Sequence, residues 1–316
     1  MSARSKSRLL VQAEYLPLRT LLWLLQSVPS GLSRLLCRGL VKGLIACLPK
    51  RRRLILSQVR ESFPDASSMV WEGIFEKSID YLADGLAMFA QIPRMTDPDM
   101  DRLVILHGAE HMEEAYRRGR GMITFTAHYG CWELMAVYVT RRYPRVSMVV
   151  RPLDNPLLDA MVSGVRRSGG GGVIDSRRVL KDGIRLLRAN GILGVLVDQN
   201  FHKGGVFVDF FGRLAATSTL VPVLARRTGC AVLPMHNFWR DGRMHIICEP
   251  PVALSSEPDS SQAIAQDTQR LTAIVEGWIR QDPNQWLWLH RRWKRRPKPG
   301  EIVYGRVHPE LESIVS

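Results

Sequence analysis

Between residues 122 and 280, short apolar runs alternate with segments of helical pattern, and this alternation limits the fold more than any other feature. Residues 122–127, 146–150, 191–197, 231–236 and 244–248 read as strands. Residues 131–141, 155–168, 182–189, 218–228 and 261–280 read as helices, the second opened by Asn155-Pro156. Upstream, residues 67–91 read as a helix with a serine cap and Pro93 as its stop. Strands that alternate with helices predict an α/β fold with a mostly parallel central sheet flanked by helices. A chain of 316 residues is long enough for one large domain of that kind. No internal repeat is present. The glycine run 169–172 reads as a loop, because no strand runs into it and no helix follows it as a phosphate-cradling loop requires.

The formal net charge of +14 suggests a polyanion, a membrane surface or an anionic substrate. Its position along the chain separates these. Residues 1–60 carry 12 Lys/Arg against one acid, Glu14. Residues 288–300 carry six Lys/Arg and no acid, while the stretch between, 61–287, sums to −1. A nucleic-acid-binding domain needs its excess charge on the domain itself, so a nearly neutral centre argues against that class. Arginine outnumbers lysine 36 to 8, which suits planar contacts to phosphate or carboxylate and also follows from base composition alone. The five cysteines are scattered, without a C-x-x-C pair, which fits a reducing compartment rather than disulfides or zinc.

Residues 20–33 form an uncharged run too short for the roughly 20 residues of a membrane span, and Pro29 and Gly31 interrupt it. Leu32, Leu35, Leu36, Leu40, Leu44, Cys47 and Leu48 then recur at three- and four-residue spacing, with Arg34, Arg38 and Lys42 opposite. The cluster Lys50-Arg51-Arg52-Arg53 follows at once. A basic amphipathic helix beside such a cluster fits an interfacial anchor on an anionic leaflet. The expected organisation is a membrane anchor over residues 1–50, an α/β catalytic domain over 51–300 and a tail over 301–316.

The chemistry is expected around Thr126-Ala127-His128-Tyr129-Gly130-Cys131-Trp132-Glu133. An apolar strand delivers His128 to its carboxyl end, where open α/β sheets bind ligands. Glu133 reaches His128 only if the histidine precedes the helix and the carboxylate folds back, since five residues are not on one helical face. In that arrangement one ring nitrogen donates to Glu133 and the other is left as a base. The same spacing equally describes a turn followed by a first-turn acid favoured by the helix dipole. Asn155, Asp159, Val162 and Arg166 share a second stripe at i, i+4, i+7 and i+11. Val197-Asp198-Gln199-Asn200 closes another apolar strand. Phe207–Gly212 and 215–219 read as an apolar platform and a capped helix. Trp286-Leu-Trp-Leu-His-Arg-Arg-Trp-Lys-Arg-Arg296 interleaves aromatics with cations.

Together these motifs (T-A-H-Y-G-C-W-E, R-P-L-D-N-P-L-L-D, D-Q-N, V-F-V-D-F-F-G-R-L-A-A-T-S-T and W-L-W-L-H-R-R-W-K-R-R-P) resemble the lipid A late acyltransferases, over about residues 15–298. The resemblance implies an O-acyltransferase at the cytoplasmic face of the bacterial inner membrane, with acyl carrier protein or another acyl thioester as donor and a lipid A precursor as acceptor, the alternative acceptor being another membrane lipid (a lysophospholipid, an ornithine lipid or a glycolipid such as mannosylated phosphatidylinositol). It implies His128 as general base paired to Glu133, and Asp198 as a supporting position. Resemblance and stripe geometry together make Arg166 the first choice for oxyanion or substrate contact and Arg151 the second. No cofactor, metal or nucleic acid is implied.

Overall fold

The computed structural model describes residues 7–202, 204–257 and 260–304. Four helices come first: α1 (Arg8–Ser27), α2 (Ser30–Ala46), α3 (Pro49–Ser62) and α4 (Ser68–Gln91). Pro29 lies in the break between the first two. The Ser67 hydroxyl accepts from Val70 N and caps α4, as its place before the apolar run suggests. The chain continues through α5 (Asp97–Leu103), β1 (Val104–His107), α6 (Ala109–Arg117), β2 (Met122–Thr126), α7 (Trp132–Arg142) and β3 (Val146–Val150). Next come α8 (Pro156–Arg167), β4 (Gly172–Asp175), α9 (Val179–Arg188) and β5 (Ile192–Leu196). The last elements are β6 (Val206–Phe210), β7 (Arg213–Thr217), α10 (Leu220–Thr228), β8 (Ala231–Arg240), β9 (Arg243–Cys248), α11 (Ser261–Gln281) and β10 (Val303–Tyr304).

Seven strands form the central sheet in the order β1-β9-β8-β2-β5-β3-β4. Every neighbouring pair is parallel except the β8–β9 hairpin. Strand side chains alternate between faces, and β2 shows the consequence: Ile123 and Phe125 join one apolar cluster, Met122 the other. The first cluster lies under α4 and α11, the second under α6 and α7. The expected mostly parallel sheet flanked by helices is therefore present.

Two segments differ from expectation. The glycine run ends in a strand, since Gly172 opens β4 on the sheet edge and pairs with Ser147. Residues 206–217 form an antiparallel hairpin, not a platform followed by a helix. Its two-residue turn, Phe211-Gly212, has φ of 57° and 70°, the left-handed pair that a tight hairpin turn requires.

The N-terminal helices pack on the body of the protein. Leu25, Cys37, Val41 and Ile45 are buried in the same cluster as Trp286 and Trp288, and the expected boundary after residue 50 falls inside α3. On α2 the buried row is Ser33, Cys37, Val41 and Ile45, while Leu32, Leu35, Leu36, Leu40 and Leu44 are exposed. The cations of α2 meet acids on α4: Arg38 makes a bidentate bond to Asp84 and Lys42 Nζ lies 2.8 Å from Asp80. Among the described residues no helix is long and apolar enough to cross a membrane. The tail beyond residue 304 lies outside the described residues.

Candidate active site

The parallel register of β2 and β5 sets Thr126 beside Leu196. Two residues further on, His128 and Asp198 leave the same end of the sheet side by side. His128 Nδ1 lies 2.8 Å from Asp198 Oδ1, and the His128 backbone N–H donates to Oδ2 at 3.0 Å. Trp286 Nε1 donates to that same Oδ2 at 2.8 Å. Burial of Asp198 acts to raise its pKa, yet the charge and hydrogen bonds of His128 and the bond from Trp286 outweigh it and hold the carboxyl at about 2. An ionised carboxylate only accepts, so Nδ1 carries a ring proton, and in the neutral form of the ring Nε2 is the nitrogen with the lone pair. Gln199 Nε2 stands 3.1 Å from that nitrogen.

Gly130 makes the turn that brings α7 in behind His128. Its φ is +59°, and a Cβ there would run into Asn237. The Asn237 carboxamide oxygen accepts from Cys131 N at 2.7 Å, and Gly130 N donates to the Gln285 carbonyl at 3.0 Å. The segment after α11 then lies along the loop, with Leu287 N donating to the His128 carbonyl at 2.9 Å.

The aromatic and cationic C-terminal run is core as much as surface. Trp286, Trp288 and Arg292 are among the largest fully buried side chains. Arg292 donates to the Gln199 carbonyl at 3.1 Å, the Ala216 carbonyl at 2.6 Å and Thr217 Oγ1 at 2.5 Å. Its Nε has no hydrogen-bond partner among the described residues. Burial pushes its pKa down to about 10, with the charge of Asp198 acting against that. His290 Nε2 accepts from Asn200 N at 2.9 Å, which needs the neutral ring, and burial pushes its pKa down to about 4.

The expected His128–Glu133 pair is not formed. Glu133 is in the first turn of α7, and Arg166, from the last turn of α8, takes its carboxylate with Nε at 3.0 Å and Nη2 at 2.5 Å. Asp198 holds the histidine because strand register, not helix spacing, sets the neighbour. Arg151 is on the loop after β3, largely exposed and 3.9 Å from Asp154, apart from both pairs. Cys131 is buried and its thiol is pushed up to about 12 by that burial, so it packs and does not react. Sequence reasoning passed over Gln199, Asn237 and Arg292. The D-Q-N strand end was the available signal for the first.

Beside the dyad is a mainly apolar cavity of about 220 Å³. Tyr81, Leu82, Gly85, Leu86 and Phe89 of α4 wall one side. Trp132, Val162, Trp286 and Leu287 wall the other, and Glu133 adds a charged edge. Trp132 makes an edge contact with the His128 ring at 5.0 Å between centroids, so the cavity wall touches the dyad.

A histidine oriented by a buried carboxylate at strand ends, beside an apolar cavity, has the geometry that can take a proton from a hydroxyl near an aliphatic chain. The family model for bacterial lipid A biosynthesis acyltransferase matches residues 4–295, and the chain belongs to that family. It is 27% identical over 280 residues to the lipid A biosynthesis lauroyltransferase of Escherichia coli, covering 88% of this chain and 90% of that one. It is 26% identical to the lipid A biosynthesis myristoyltransferase of the same organism, over 79% of this chain and 77% of that one. A solved 1-acyl-sn-glycerophosphate acyltransferase from Thermotoga maritima covers 73% of this chain, and this chain 95% of it, at TM-score 0.37 and 13% identity. The protein is an acyltransferase.

Proposed function

We propose that the protein moves a fatty acyl chain from the thioester of an acyl carrier protein to a hydroxyl of a membrane-embedded lipid A precursor. The observation that carries this reading is His128, its Nδ1 on Asp198 and its Nε2 open to an acceptor, beside the apolar cavity. His128 Nε2 takes the proton of the acceptor hydroxyl as its oxygen attacks the thioester carbonyl. Asp198 holds the ring in the required tautomer and stabilises its charged form. The acceptor is itself the nucleophile, so no enzyme thiol or hydroxyl takes part. Collapse of the tetrahedral intermediate breaks the C–S bond, and His128 returns the proton to the leaving thiolate.

The other expected residues take substrate-side roles. Arg166 spends Nε and Nη2 on Glu133, which leaves Nη1 for a polar group of the acceptor. Exposed Arg151 suits a phosphate of the same lipid. We read the exposed leucines of α1 and α2, with Trp23, as one apolar face, followed by Lys50, Arg51 and Arg53, which have no acidic partner among the described residues. That face lies on the cytoplasmic leaflet of the inner membrane, as an interfacial anchor and not a span.

The test is acyl transfer by the purified full chain from acyl carrier protein thioester to an under-acylated lipid A precursor, followed by mass spectrometry. The precursor gains one acyl mass. Acylation of a lysophospholipid or ornithine lipid in its place, with the precursor untouched, contradicts the reading.

A further inference from the structure

Gln199 is exposed, yet its carboxamide nitrogen stands 3.1 Å from the nitrogen of His128 that the reaction needs. With Nδ1–H committed to Asp198 and the ring neutral, as a base must be, the contact at Nε2 is a donation from the amide N–H into its lone pair. An acceptor hydroxyl must come to about 2.6–3.2 Å from the same nitrogen to give up its proton. It cannot do so while the amide is there, so the amide moves.

What can move is narrowly defined. The Gln199 carbonyl is held by buried Arg292 at 3.1 Å, and the next residue, Asn200, donates its N–H to His290 at 2.9 Å. Asn200 Oδ1 also accepts from Arg295 N at 3.2 Å. The backbone stays, and only the side chain swings. The carbonyl carbon under attack bonds to the very oxygen that displaced the amide, so the carbonyl oxygen enters the shell the amide has just left. Arg166 is poorly placed for that charge, since two of its donor groups are engaged by Glu133.

Building on the acyltransferase reading, we infer that Gln199 is a further catalytic residue, whose carboxamide N–H passes from His128 Nε2 to the thioester carbonyl oxygen as the acceptor binds. In the step itself the hydroxyl proton goes to His128, the C–O bond forms and the carbonyl pair moves onto oxygen, where the Gln199 N–H meets it. Return of that pair breaks C–S, and the thiolate leaves with the proton from His128. Donors aimed at developing charge act in the transition state and not in substrate binding.

The experiment measures kcat and KM for Gln199→Ala and Gln199→Glu in the purified full chain, with acyl carrier thioester and lipid A precursor. His128→Ala is the reference, and circular dichroism checks folding. Gln199→Ala is expected to lower kcat about 10²–10³-fold with KM changed less than about threefold. Gln199→Glu, which cannot donate when ionised, is at least as impaired. A Gln199→Ala enzyme within about threefold of wild-type kcat, or one whose loss is all in KM, overturns the inference. If His128→Ala is inactive in that case, the reading of His128 as the base stands without Gln199. If His128→Ala is also active, the base and the donor both fall, and acyl transfer by this chain needs another site.

Discussion

His128 and Asp198 are 70 residues apart in sequence and 2.8 Å apart in space. The β2–β5 register makes the pairing, because each residue follows its strand partner, Thr126 or Leu196, by two positions. Glu133, only five residues from His128, belongs instead to Arg166. The functional consequences of the site follow from this exchange of partners.

Glu133→Ala strips a largely buried guanidinium of the one carboxylate that hydrogen-bonds it among the described residues. Breaking one side of such a pair costs about 3–5 kcal/mol when fully buried, and about 2 kcal/mol is expected here because both groups keep some exposure. Urea denaturation of Glu133→Ala and of Glu133→Gln/Arg166→Met checks it, with the double variant more stable than Glu133→Ala.

Gly85 of α4 and Val162 of α8 both line the apolar cavity. Val162→Phe is expected to lower the kcat/KM ratio of long over short acyl donors at least ~10-fold, since each excluded methylene removes binding energy of about 1–3 kcal/mol. Competition between donors of different length, read by mass spectrometry, gives the ratio. An unchanged ratio removes the acyl chain from this cavity.

The exposed leucines of α2 contribute little to folding. Leu35→Ser/Leu40→Ser/Leu44→Ser is expected to hold stability within about 0.5 kcal/mol per site and to weaken binding to anionic vesicles at least ~10-fold. Vesicle co-sedimentation beside thermal melting separates the two effects. Equal binding by the triple variant contradicts the anchor.

His290 gives a pH signature of stability. Its folded pKa, about 4, is below the ordinary 6.5, so the unfolded chain takes up the proton first as pH falls. Its contribution is full above about 6.5 and is lost progressively down to about 4. Melting of His290→Gln from pH 7 to 4 should show a flatter dependence than wild type in that window.

The sheet's layers were legible because apolar runs and helical stripes differ in period, and β2, β3, β5, β8 and β9 formed where expected. The β6–β7 hairpin was not, since Phe211 enters the left-handed turn that favours Asn or Asp, and its aromatic ring hides the turn signal before Gly212. The place of His128 at a strand end was legible, but the choice of Asp198 over Glu133 depended on strand register, which periodicity does not carry. Arg292 was hidden for another reason: in a run of five other cations nothing local marks the one that is wholly buried.

The central claim is the His128–Asp198 dyad, and kcat of Asp198→Asn in acyl transfer tests it most directly, with folding verified by circular dichroism. An asparagine keeps the shape but cannot fix the tautomer or stabilise the charged ring. The expected result is a loss of about 10²–10⁴-fold in kcat with KM nearly unchanged. A folded Asp198→Asn enzyme that turns over within about threefold of wild type would contradict the account.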